Sequence, residues 1–420
     1  MNEIRDLIVG IDFEKEKTQM SFYDRKAQEP RSVSMKVGAD LFEIPTMLCK
    51  RTTQGDYCVG IEAEYFAKEQ SGILLDNLYE ISKSRQTVQV GSEILEPWEL
   101  LAAYIKGMLK YLGIMDTVKN TKCLAICTPE LTGIQVENLQ QACAAAGFDR
   151  DKFLLMDYGE SFFHYVMGQK GETWNRSVAW YAFETKKVLY RKMSMNSGSS
   201  QTLVHLEPAV EIELPEEAGE RDDRFSRFVA ETMGTGLFSS VQITGEGFSQ
   251  DWAKNSVRIL CFQKRKVYYG NNLFSRGACY GARDKAEGRK TKGYRYISES
   301  MVRTNIGMEM RVMGAPAYHS LITAGKNWYD SKASCEFLLD DVQDLVFVVS
   351  DMEKNDKRHM VMPLPGLPKR PNKTTRLRLE MEYVSAAECK IMVQDLGFGD
   401  LFPSSRKVWK ETVNWQDVKQ

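Results

Sequence analysis

The stretch Leu7–Asp24, LIVGIDFEKEKTQMSFYD, decides how the rest of the chain is read. Leu7-Ile8-Val9 is a short apolar run, rich in the branched side chains that favour extended backbone, and Gly10-Ile11-Asp12 follows it. The charged Glu14-Lys15-Glu16-Lys17 predicts a turn. Beyond it, Gln19-Met20-Ser21-Phe22-Tyr23 alternates polar with apolar, the period-two signature of a strand. The expectation is strand, tight turn, strand, with acids and lysines at the tip.

Working outward, Phe42–Leu48 reads as an edge strand, because Pro45 cannot donate to a ladder. Asp56–Gly60 reads as a short strand, and Ile61–Gln70 as a helix ending near Ser71-Gly72. Glu96-Pro97-Trp98 starts an amphipathic helix, with proline suited to its first turn and Gly113 stopping it. Then strands and helices alternate: Lys122–Cys127, a helix over Ile134–Ala146 closed by Gly147, Phe153–Met156, a helix over Glu160–Gly168, and Val178–Phe183. Such alternation predicts parallel sheet covered by helices. Phe162, Phe163 and Tyr165, at helical spacing, read as core. Lys187–Lys192 and Leu203–Leu214 read as strands, 219–232 as a helix, and Val241–Thr244 as a strand running into Gly245-Glu246-Gly247. Residues 283–295, RDKAEGRKTKGYR, read as a basic connector, a nucleic-acid patch being the weaker alternative. After it every clear segment is strand: Glu336–Leu339, Asp344–Ser350, Thr375–Tyr383 and Lys390–Gln394. A β-sandwich of roughly 120 residues fits that pattern.

Composition excludes several classes. At 420 residues, the chain is long enough for two or three domains. Its net charge of −1 gives no general pull towards nucleic acid or anionic membrane. No apolar run approaches membrane length, and MNEIRD is no signal peptide. The nine cysteines are odd in number and scattered, and the four histidines are dispersed; this is reduced, cytoplasmic usage without a zinc pattern.

The middle of the chain carries a resemblance. CLAICTPELTGIQVENLQQACAAAGF, FLLMDYGESFFHYVMG and SVAWYAFE, in that order, resemble an actin-like ATPase domain, most of all that of the seventy-kilodalton heat-shock chaperones. IPTMLCK with DYCVGIEAEYFAKEQ mirrors an earlier passage of that family, VQITGEGF its adenosine turn, and NNLFSRGACYGA its connecting helix. The resemblance implies an α/β two-lobed actin-like ATPase fold followed by an all-β sandwich domain. Its boundaries would be 1–176 for lobe I, 177–288 for lobe II with a reduced upper subdomain, and 289–420 for a region similar to the chaperone's peptide-binding β-domain, without a helical lid.

By that resemblance the opening hairpin would cradle the phosphates of ATP, and Asp12 would hold magnesium. The cofactors implied are ATP or ADP with magnesium, and the partner a protein or peptide. Cofactor-binding candidates are Asp12, Glu14, Lys15, Gly245 and Gly247; Glu160 and Lys83 fall near the family's connecting glutamate and catalytic lysine. Yet phosphate turns need bare main chain. The family's Asp-Leu-Gly-Thr-Thr is here Asp12-Phe13-Glu14-Lys15-Glu16. Its Asp-Phe-Gly-Gly-Gly-Thr is Ala182-Phe183-Glu184-Thr185-Lys186. Lys15, Lys17, Lys186 and Lys187 are the remaining sources of positive charge. The expectation is a degenerate relative with weak or no hydrolysis, acting as an interaction or regulatory module. An active ATP-driven chaperone and an actin-like scaffold stay open.

Overall fold

The computed structural model describes residues 6–36, 38–197, 202–289, 293–352 and 357–415. The chain divides into two compact units, Met1–Tyr296 and Ile297–Gln420. The first is mixed α/β and the second is β-rich.

In the first unit the opening stretch forms the hairpin its pattern predicts, Leu7–Phe13 paired antiparallel with Lys17–Asp24. All seven residues of Leu7–Phe13 are buried, because the strand lies inside a sheet covered on both faces. The sheet order is Phe153–Asp157, Thr121–Thr128, Leu7–Phe13, Lys17–Asp24, Glu29–Ser32. The first three run parallel and the last two antiparallel. A second sheet, of seven strands with Tyr294–Ile297 at its edge and Val210–Glu213 paired to Lys187–Ser197, repeats the arrangement in the other five: Lys266–Tyr269, Phe238–Gly245, Ser177–Glu184, Lys187–Ser197, Thr202–Leu206. Again three strands are parallel and two antiparallel.

The helices Tyr158–Gly168 and Leu273–Glu287 share one apolar core with both sheets. Ile8 and Cys127 from the first meet Phe162, Ala278 and Cys279 from the helices and Val178 and Trp180 from the second. The Leu273–Glu287 helix approaches its neighbours backbone to backbone. A Cβ on Gly10 would stand 2.3 Å from Cys279 N and Ser275 O, and one on Gly277 would stand 2.1 Å from Ser161 O. Ser21 and Ser275 share a buried hydroxyl–hydroxyl hydrogen bond of 2.9 Å beside the first contact.

Three local readings change. Leu203–Leu214 is two strands, Thr202–Leu206 and Val210–Glu213, since Pro208 between them has no N–H to give. In Phe42–Leu48, Ile44–Pro45 pairs with Lys17 and Thr18, and Leu48 opens a separate strand, Leu48–Arg51, between Val59 and Leu75. The connector begins later than its basic composition suggests: Arg283–Glu287 completes the helix, and Gly288 closes it at φ 60°. Residues 290–292 of that connector lie outside the described residues, and the division between units falls after Tyr296 rather than after 288.

The second unit holds two four-stranded antiparallel sheets. One has the order Ala315–Ile322, Thr304–Val312, Asp344–Asp351, Lys357–Pro363; the other Lys332–Leu338, Arg376–Tyr383, Glu388–Asp395, Val408–Asn414. Alternate residues such as Ile306, Phe347 and Val349 meet Leu377, Leu379 and Val393 in one core. Arg370 from the proline-rich loop makes a bidentate pair with Asp395, whose carboxylate also accepts from Gly397 N and Ser405. Burial works against that carboxylate, but these donors outweigh it and hold its pKa well below the ordinary range.

The helix contact yields a prediction. Gly10→Ala puts a methyl into fixed main chain and is expected to cost about 3 kcal/mol or more in urea denaturation. Gly171→Ala, whose new carbon meets nothing closer than 3.9 Å, is expected to stay within about 0.5 kcal/mol of the parent. Equal midpoints for the two variants would refute the close-contact account.

Candidate functional site

The two sheets present their hairpin tips to a common cleft. The first tip is tight: Glu14 N donates to Lys17 O at 3.3 Å, and Lys15 stands exposed at its end. Asp12 and Gln19 lie directly opposite one another in the hairpin, so both side chains leave the same face. Asp12 is only 4% exposed. Its carboxylate accepts from the Tyr158 hydroxyl at 2.8 Å, and the same hydroxyl lies 3.4 Å from Glu14. Tyr158 cannot swing freely, because its ring stacks on Phe274 with centroids 3.6 Å apart and planes 6° from parallel.

Burial raises the Asp12 pKa well above the usual carboxylate value, the charge of Glu14 adds to this, and Tyr158 and Lys17 only partly oppose it. Glu14 is pushed up mainly by burial as well. The Tyr158 hydroxyl, buried beside both acids, is held firmly protonated and therefore donates.

Lys17 leaves the base of the hairpin and bridges two carboxylates, Glu43 at 2.9 Å and Glu246 at 2.7 Å. Glu246 belongs to the Gly245-Glu246-Gly247 turn of the second sheet, so this contact ties one sheet to the other across the cleft mouth. Burial opposes the Lys17 charge, but the bonds to Glu246 and Glu43 outweigh it and keep the ammonium charged.

The second hairpin is equally closed. Glu184 pairs with Lys187 in the ladder around a two-residue Thr185-Lys186 turn. Lys187 reaches Glu184 and Glu211, and Lys186 reaches Glu216. The glycines beside it serve the protein's own packing. Gly245, at φ 87°, lies so close to Phe183 that a Cβ would sit 1.9 Å from its carbonyl oxygen, and its N–H donates to Asn271 at 2.9 Å. Gly247, at φ 103°, leaves room for Arg221, whose guanidinium donates to Gly247 O and Thr185 O and stacks on Trp252.

The structure thus gathers Asp12, Glu14 and, through Lys17, the Gly245–Gly247 turn. Lys83 serves elsewhere, paired with Glu130 at 2.8 Å and lying over the Tyr79 ring. Glu160 sits in the first turn of its helix, where its N–H donates to the capping carboxylate of Asp157. Among the described residues, no group of three or more histidine, cysteine, aspartate or glutamate side chains is placed to hold a metal ion. Tyr158, Gln19, Glu43 and Glu246 escape a sequence reading. Tyr158 looks like any helix-starting aromatic, and the others owe their positions to long-range pairing.

In class, this is a mixed α/β unit with a repeated sheet order and an acidic cleft, followed by a β-rich unit. The family model described as "Family of unknown function (DUF5716) C-terminal" matches residues 29–299, and the chain belongs to that family. A second, "Domain of unknown function (DUF8552)", matches residues 301–415. No curated protein matches the chain.

A carboxyl group whose folded pKa is raised binds its proton more tightly in the native state than in the unfolded chain. Stability from Asp12 is therefore full below the unfolded value and is lost as pH rises through the folded one. Asp12→Asn keeps an acceptor for Tyr158 and removes the titration. The variant is expected to melt higher than the parent at pH 8, by on the order of 1 kcal/mol, with the difference shrinking towards pH 4. A variant less stable than the parent at pH 8 would contradict it.

Proposed function

We propose that this protein is a degenerate relative of the actin-like ATPases, nearest in pattern to the seventy-kilodalton heat-shock chaperones, that no longer hydrolyses ATP to any useful extent. It works instead as an interaction or regulatory module in a reducing, cytoplasmic setting, with protein or peptide partners. The doubled sheet order, an antiparallel three-stranded meander whose first strand is extended on its other side by two parallel strands, with a pair of helices between the sheets, supports the fold part of the reading. The β-rich second unit supports the chaperone-like part, and nine cysteines without a disulfide support the compartment.

One observation carries the loss of hydrolysis. Where a triphosphate needs main-chain N–H groups, the cleft offers Glu14 and Asp12 sharing the Tyr158 hydroxyl, with Glu246 drawn across to Lys17. A γ-phosphate beside Glu14 meets a like charge. At about 4 Å and an effective dielectric near 20 that repulsion is about 4 kcal/mol per pair of unit charges. A magnesium ligand must be ionised, whereas burial favours the protonated form of Asp12. Ala182 replaces the second carboxylate, and the cations Lys186 and Lys187 are already paired with glutamates. These residues do not fit magnesium–ATP, and no step is assigned to it.

Isothermal titration with ATP and ADP, with and without magnesium, tests the reading. The expected result is no saturable heat up to millimolar nucleotide. Saturable binding, or magnesium-dependent hydrolysis abolished by Asp12→Ala, would overturn it.

A further inference from the structure

The inner cleft is rich in acceptors and poor in donors. Among the described residues, Asp12, Glu14, Glu43 and Glu246 surround a single ammonium, Lys17, and a single hydroxyl, that of Tyr158. Lys17 spends its contacts on the outer pair, Glu43 and Glu246. The inner pair shares one hydroxyl donor, which lies 2.8 Å from Asp12 and only distantly, at 3.4 Å, from Glu14.

Gln19 is an independent sign. It is 4% exposed and stands opposite Asp12 on the same face. Its amide nitrogen lies 3.4 Å from Glu43, and its Oε1 has no hydrogen-bond donor. Buried acceptors without donors are rare in native proteins and costly. The group that completes this site must bring N–H donors and positive charge. Among the described residues the side chains are not arranged to chelate a metal.

We infer that the cleft receives an ammonium or guanidinium group presented by a basic segment of a partner protein. This rests on the interaction-module reading above and names what is recognised. Charge complementarity selects the occupant. Glu246 and Glu43, with side chains 71% and 43% exposed, stand at the mouth where a cationic side chain arrives. A guanidinium carries five N–H donors in a fixed fork, enough to satisfy Gln19 Oε1 and a Glu14 carboxylate together. Lys17 is then the internal competitor, holding the mouth closed until a stronger donor set displaces it. Exposed pairs of this kind contribute only about 0–1 kcal/mol, so displacement is not prohibitive.

The test is fluorescence anisotropy on the full chain at physiological salt, with a labelled Gly-Arg-Gly-Arg-Gly peptide and its citrulline counterpart, which keeps hydrogen bonding but not charge. The arginine peptide is expected to bind saturably, at least about tenfold tighter than the citrulline form. Glu14→Gln and Glu246→Gln are expected to weaken it and Lys17→Met to tighten it, while Glu137→Gln, a surface acid paired with Arg85, leaves it unchanged. Equal binding of both peptides, or no loss in Glu14→Gln with unchanged melting, overturns the inference. So does spermidine displacing the peptide at matched concentration, which would make the occupant a free polyamine. ATP is absent from this assay, so its failure leaves the nucleotide reading standing. Saturable ATP binding sinks that reading whatever the peptide does.

Discussion

The first unit depends on one helix that meets its neighbours without intervening side chains. Leu273–Glu287 rests on the main chain of the first strand at Gly10 and, through Gly277, on Ser161 of the Tyr158–Gly168 helix. Small residues at those points let dispersion contacts close over a buried helix that a single added methyl would push away. The same helix positions the cleft. Phe274, next to its start, pins the Tyr158 ring, and Ser161 Oγ donates to Phe274 O at 2.7 Å. Just before the helix, Asn271 holds the Gly245 turn of one sheet and Asn272 bonds Ser32 of the other. Cleft geometry is therefore a consequence of helix packing, not of hairpin sequence alone.

Electrostatics then decides what that geometry suits. A concave site focuses the sign of charge that lines it. Here the lining is carboxylate, relieved by Lys17 and by a tyrosine proton. Such a surface repels phosphate and attracts cations. The Lys17 bridge is worth little as stabilisation in solvent. Its significance is positional, since it joins residues 229 apart in sequence and from different sheets.

Local pattern made the opening hairpin, the strand–helix alternation and the β-rich end legible, because side-chain period reports which face is buried. The repeated sheet order was not legible, since the two halves share topology without shared residues. Gly245 and Gly247 read as a turn whose missing side chains let another group come close, and the groups that come close in the structure are the protein's own. One clears Phe183 and the other clears Arg221, and neither neighbour lies close in sequence. Arg283–Glu287 misled because basic composition outweighed a helix stop that comes only at Gly288. Tyr158, two residues before Glu160, carries no local signal for the cleft, because its stacking on Phe274 is a tertiary fact.

The proposal that this cleft does not accept a triphosphate is tested most directly by crystals grown with a non-hydrolysable ATP analogue and magnesium. The expected map has Tyr158 on Asp12, Lys17 on Glu246, and no ordered phosphate between the Glu14 and Glu184 hairpin tips. Ordered β- and γ-phosphoryl groups there, with Tyr158 displaced from Asp12, would contradict it.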